Sequence, residues 1–207
     1  MSISQRERAA LVETMRAAGP DAPTLCEGWN ARDLAAHLVV RERRLDAAPG
    51  ILIPQLAGYT ERVQQKVTEG TDWTELVDQI AAGPPLYSPF KLLDPLVNVA
   101  EMFIHNEDVR RAQPHWEPRV LDQDTVSSLT KQVSNMARMA MGKSPARVAL
   151  TTPQGKTLAT VGSGPEVTVT GEPGELLLFA AGREPAQVTF SGDDDAVAAL
   201  RAAHRGL

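Results

Sequence analysis

The chain has 207 residues, 43% of them hydrophobic and 23% charged, with a formal net charge of −5 and a pI near 5.4. That length is enough to bury a core as one large domain or as one medium and one small, and the acidic balance excludes the basic face of a nucleic-acid binder and the polybasic patch of a membrane-surface protein. Cys26 is the single cysteine, which excludes an intramolecular disulfide and a Cys-rich zinc site, so a metal here relies on carboxylates and on His37, His105, His115 and His204.

The first residues lack an apolar stretch of signal-peptide length, and no window approaches the roughly 20 apolar residues of a membrane span. A cytoplasmic protein acting on small molecules is expected. Ala10, Leu11 and Met15 recur at helical spacing over residues 4–18, and Gly19-Pro20 stops that run. Residues 21–29 read as a loop that tucks Leu25 and Trp29 inward. Asn30 is a helix cap with Asp33 in the dipole-favoured first turn, and the second helix is predicted to run to about Asp46, with Leu34, His37, Leu38 and Arg41 on one face. A third helix is predicted over 55–69, with Leu56, Tyr59, Val63 and Val67 as its stripe. A fourth follows over 72–82, opened by a capping-box spacing from Asp72 to Glu75.

Asp94-Pro95 is a cap followed by proline at the first helical position, predicting a helix from Pro95 to about Ala112. A last long helix over 123–141, with Val126, Leu129, Val133, Met136 and Ala140 on one side, supplies what a four-helix bundle needs. After Gly142 the pattern alternates with period two in RVALTTPQG, TLATVG, EVTVTG and AQVTFSG, interrupted by helices over 172–181 and 193–204. The expectation is an α+β chain divided into a helical bundle, residues 1–142, and a small α+β domain, residues 143–207.

On the helix that starts at Pro95, Glu101 and His105 are four apart and Asp108 three further on, so a carboxylate, an imidazole and a second carboxylate share one face. Val97, Ala100 and Ile104 make that side apolar, and an ionised Glu facing it needs a compensating charge. A divalent cation is one such charge, and His37, set between Leu34 and Leu38, is a candidate third donor from a facing helix. Spacing by itself equally allows a Glu/His hydrogen bond and an ordinary core histidine.

Residues 24–38, TLCEGWNARDLAAHL, together with Glu101-x-x-x-His105-x-x-Asp108, resemble the two signatures of the mycothiol-dependent maleylpyruvate isomerase N-terminal domain, within the broader DinB/YfiT-like superfamily. Residues 174–183, GELLLFAAGR, resemble a helix of that family's C-terminal, sterol-carrier-like domain. The resemblance implies a DinB-like four-helix bundle followed by a small sterol-carrier-like domain. It also implies a metal held by His37, Glu101 and His105, and mycothiol or another small thiol as co-substrate for an electrophilic partner. Three ligands of the His2Glu kind leave a fourth position for water or substrate. Zinc is the default ion, while nickel, cobalt or iron suit the same donors.

Asp108 has two readings, an acceptor for the second ring N–H of His105 and an exposed acid paired with Arg110 or Arg111. Cys26 reads as a half-buried loop thiol with no base in sequence reach, and Trp29 as a packing anchor. Arg41 reads as part of a solvated helix end, with guarding of the pocket mouth as its functional alternative. Arg183 either binds an anion or merely complements a helix dipole, and His115 and His204 read as solvent-exposed. The function expected is a metal-dependent thiol transferase or isomerase. Its rivals are a non-catalytic metal- or ligand-binding module and a regulatory interaction protein whose histidines are simply buried.

Overall fold

Most helix starts are set by single side chains that satisfy otherwise orphaned N–H groups. Ser2 and Gln5 form a reciprocal capping box on α1 (Ile3–Ala18), and Asn30 and Asp33 do the same on α2 (Ala31–Arg43). A 3-10 turn (Ala48–Ile51) leads to α3 (Pro54–Gly70), which starts with proline. Asp72 caps α4 (Trp73–Ala82) through the Thr74 N–H, whereas Glu75 accepts from Gln79 instead of closing a box. α5 (Pro95–Arg110) follows, then α6 (Gln123–Met141), capped by Asp122. The computed structural model describes residues 1–51, 53–88, 91 and 95–203, and side chains for all of these except 95–97. The predicted cap Asp94, the side chain of Val97 and the predicted exposure of His204 therefore fall outside the described residues.

After α6 come β1 (Arg147–Thr151), β2 (Thr157–Val161), β3 (Glu166–Thr170), α7 (Pro173–Ala180), β4 (Thr189–Gly192) and α8 (Asp194–Ala202). Helices first and a sheet after make the chain α+β. The four strands lie in the order β2-β1-β3-β4, with β1 and β3 parallel and the outer pairs antiparallel. Val148, Leu150, Val167 and Val169 are buried on one face, as period two requires.

The chain forms two compact units, Met1–Glu117 and Pro118–Leu207. In the first, α1 packs on α5 and α4, and α2 packs on α3 and α4. Leu11, Met15, Leu34, Leu38, Leu76, Ile80 and Met102 are fully or almost fully buried in its core. The expected boundary after residue 142 differs from this division, because α6 packs on α7 and β2 in the second unit. Of its expected stripe Leu129 and Val133 are buried, whereas Val126, Met136 and Ala140 are half-buried and Ala137 and Met141 are buried in place of the last two, so the buried face is turned by one position. Periodicity locates a buried face to within about a residue and is silent on which element covers it. Among the described residues, no helix is long and apolar enough to cross a membrane.

Candidate metal centre

The reciprocal cap at Asn30 sets the phase of α2, with Asp33 N–H donating to Asn30 at 3.0 Å and Asn30 N–H to Asp33 at 3.2 Å. Leu34 and Leu38 consequently enter the core, and His37 stands between them, half-buried. The preceding loop turns on Gly28, whose φ of +76° is one a side chain disfavours. Trp29 N–H then bonds the Cys26 carbonyl at 3.0 Å, and the Thr24 hydroxyl donates to the Trp29 carbonyl at 2.8 Å. This closes the loop so that the Trp29 ring sits 5.1 Å from the His37 ring, centroid to centroid. Leu25 N–H fastens the same loop to α5 by bonding the Asp108 carbonyl at 3.0 Å.

On α5, His105 is 9% exposed and has a carboxylate at each ring nitrogen. Nε2 lies 3.3 Å from Glu101 Oε1, and Nδ1 lies 2.9 Å from Asp108 Oδ2. The His37 and His105 rings meet edge to face, 5.6 Å apart at 70°. One donor atom from each of His37, Glu101 and His105 lies within 4.8 Å of the other two. Two helices thus bring the three expected ligands together.

The charges around this cluster are opposed in sign. Arg41 Nε is 3.2 Å from the same Glu101 Oε1, and Arg41 Nη1 reaches Asn98 Oδ1 at 3.3 Å. Burial pushes the Glu101 carboxyl up, but the Arg41 charge and the His105 hydrogen bond outweigh it and hold the group below the usual carboxylate range. His37 is pushed down to about 4, first by burial and then by the charge of His105, against weaker support from Glu101 and a hydrogen bond with Gln64. For His105, burial opposes charging, yet hydrogen bonds with Asp108, Cys26 and Glu101 carry its pKa well above the ordinary value. At neutral pH His37 is therefore neutral and ready to donate a lone pair, while His105 must give up a proton to do so.

The donor set fits a divalent ion. Two donors bound about 2.0–2.2 Å from one tetrahedral ion are about 3.3–3.5 Å apart, and the His105 Nε2 to Glu101 Oε1 separation of 3.3 Å has that value. With Nε2 so used, Nδ1–H is the donor to Asp108, an arrangement that fixes the tautomer of a ligating histidine.

Several single-residue expectations change. Arg41 is 6% exposed rather than a solvated helix end, because Glu101 and Asn98 supply partners within the core. Asp108 is fully buried, and the exposed-acid reading belongs to neither it nor its neighbour: Glu107 takes Arg110 at 2.8 Å and Arg111 at 2.6 Å. Cys26, expected to lack a nearby base, has Sγ 3.2 Å from Asp108 Oδ2. Sequence separation hid that contact. Trp29 packs against the core cluster as an anchor, and His115 is exposed. Arg183 lies in the second unit, where its Nη1 donates to the Ala181 carbonyl at 2.6 Å. Sequence reasoning missed Gln64 and Asn98, polar residues on α3 and α5 whose roles appear only once the helices are paired.

The sequence matches the family model "Mycothiol maleylpyruvate isomerase N-terminal domain" over residues 3–162, which runs through the first unit and on to the end of β2. No curated protein matches the sequence. Among solved structures, a crystal structure of mycothiol-dependent maleylpyruvate isomerase superposes with a TM-score of 0.52 at 13% identity, covering 91% of this chain and 90% of that one. A histidine-to-alanine mutant of the isomerase gives 0.52 at 14% identity over the same shares. At these identities the likeness is one of fold, and it extends across both units. By its match over more than three quarters of its length, the chain belongs to the mycothiol maleylpyruvate isomerase N-terminal domain family.

Proposed function

We propose that this protein is a metal-dependent enzyme in which His37, Glu101 and His105 hold one divalent ion, zinc by default, and in which a small thiol of the mycothiol type adds to an electrophilic substrate. The observation that carries the reading is the convergence of the three donor atoms within 4.8 Å, with Asp108 behind His105. When bound, the ion supplies Lewis acidity at an open fourth position, lowering the pKa of a coordinated thiol or water.

The remaining work falls to the chain's own residues. Asp108 accepts the Nδ1–H of His105, keeping Nε2 free to donate, and Trp29 packs beside the His37 ring and limits its rotation. Arg41 keeps Glu101 ionised, so the carboxylate is ready as a donor. A thiol co-substrate implies the reducing cytoplasm as the place of work.

Metal analysis of the purified full chain tests the first half: about one equivalent is expected, lost in His37→Ala and in Glu101→Ala. Thiol consumption with a panel of electrophiles tests the second, and it is expected to stop on chelation and return on adding the ion. A second reading draws on the 3.2 Å contact of Arg41 with Glu101, which already neutralises the carboxylate without a metal. In that case the cluster is a closed charge network within a binding or interaction module. Absence of stoichiometric metal from wild type, even after exposure to excess Zn2+ or Co2+, would decide for it.

A further inference from the structure

The site described above uses His105 through Nε2. Its other ring nitrogen faces a different set of donors. Asp108 Oδ2 is 2.9 Å from Nδ1, Cys26 Sγ is 3.2 Å from that oxygen, and one donor atom each from Cys26, His105 and Asp108 lies within 4.8 Å of the others. These residues come from the Trp29 loop and from α5, and the loop is held in place by the Leu25 N–H bond to the Asp108 carbonyl at 3.0 Å. Asp108 is fully buried, and a carboxylate there is held only with positively charged or hydrogen-bonding partners, a part a cation can take. Cys26 adds a sulfur, the soft donor that favours thiophilic ions over the hard ones that carboxylates suit.

We propose that Cys26, His105 and Asp108 form a second, thiolate-containing cation position that takes thiophilic ions such as Cd2+, used in alternation with the first. The alternation follows from the imidazole. A neutral ring has one N–H and one lone pair. Ligation through Nε2 leaves Nδ1–H for Asp108, and ligation through Nδ1 leaves Nε2–H for Glu101, which is 3.3 Å away. Either tautomer is held, and one ion is bound at a time. Binding at the second position forms a metal–sulfur bond and releases the thiol proton to solvent, together with one ring proton where His105 starts as imidazolium.

The proposal borrows from the functional reading only the use of His105, and its test separates the two. The reduced, chelator-treated full chain is titrated with Cd2+ and followed by thiolate-to-metal charge-transfer absorption. Expected is a band saturating at about one equivalent, with affinity unchanged in His37→Ala and weakened about tenfold or more in Asp108→Asn. Far-UV circular dichroism confirms that each variant is folded, and Cys26→Ala provides a milder change that keeps Co2+ capacity at the first position. In wild type, Cd2+ is expected to displace bound Co2+. Equal Cd2+ affinity in folded Asp108→Asn and wild type means an isolated thiol and overturns the proposal, as does simultaneous binding of Cd2+ and Co2+. Failure of Co2+ to bind Cys26→Ala while wild type shows the Cd2+ band sinks the first site and leaves the second standing.

Discussion

Glu42 and Glu101 belong to the same helical unit and each is answered by an arginine, but the two pairs are built differently. Arg8 grips Glu42 with two nitrogens, Nη1 to Oε2 at 3.0 Å and Nη2 to Oε1, while Nη1 also donates to the Ile80 carbonyl at 2.9 Å. Glu42 is 1% exposed, so this fork is closed to solvent. Arg41 meets Glu101 through Nε at 3.2 Å, His105 Nε2 approaches the same oxygen at 3.3 Å, and the Glu101 side chain is 25% exposed. A closed bidentate pair satisfies its own charges and does structural work. An open one, with a neutral imidazole nearby and access from solvent, keeps donor capacity for something else.

The sharpest way to break this contrast is to remove one arginine. Arg8→Ala leaves Glu42 buried and unpaired and is expected to cost about 3–5 kcal/mol in chemical denaturation, with metal stoichiometry per folded molecule unchanged. Glu101→Gln should do the reverse. Its divalent-ion affinity, measured by calorimetric titration, is expected to fall by more than about 100-fold, the upper range for partners outside the coordination sphere, at a smaller cost in stability than Arg8→Ala. Asp108→Asn sits between these roles, and its expected loss of Co2+ affinity at the His37, Glu101 and His105 position is about 10–100-fold, because there it touches the ligand and not the ion.

A gentler probe is pH. The folded pKa of His37, about 4, lies below the ordinary 6.5, so the unfolded chain binds the extra proton between those values and stability falls as pH drops through that window. The folded pKa of His105 is raised, so its contribution is complete below 6.5 and is lost as pH rises through the higher folded value. The two groups therefore act on opposite limbs of the metal-free stability profile, His37 on the acid side and His105 on the alkaline side. His37→Ala is expected to flatten the acid limb and His105→Ala the alkaline limb in thermal unfolding across pH; unchanged limbs would show that these histidines do not set the profile. Metal affinity should weaken steadily on acidification, since His105 must shed a proton to bind.

Much of this was legible locally. The caps at Asn30 and Asp72, the proline opening α5, and the period-two runs of β1 to β3 all announce their elements within a few residues. The spacing of Glu101, His105 and Asp108 likewise reports a shared helix face, because 3.6 residues per turn is a local property. Helix ends were less legible: α2 stops at Arg43 rather than near Asp46, where Arg44 and Asp46 pair with each other instead of extending the helix.

What remained out of reach were choices among partners. The stripe of α6 is equally apolar whether it meets helices or a sheet, and only packing assigns it to α7 and β2. Gln64 and Asn98 carry no local mark of function, and Arg41, though it shares the face of His37, does not announce Glu101 as its partner, because these roles depend on which helix lies opposite. Cys26 and Asp108 are 82 positions apart and share one hydrogen bond. The sequence by itself therefore determined the elements and, through its two signatures, the family and the candidate ligands, while it misplaced part of the buried faces: Leu56 and Tyr59 of the expected α3 stripe are exposed. Tertiary structure alone decided that Arg41 is buried against Glu101 and that Asp108 serves both His105 and Cys26, since burial and charge pairing are properties of facing surfaces and not of either strand of sequence taken alone.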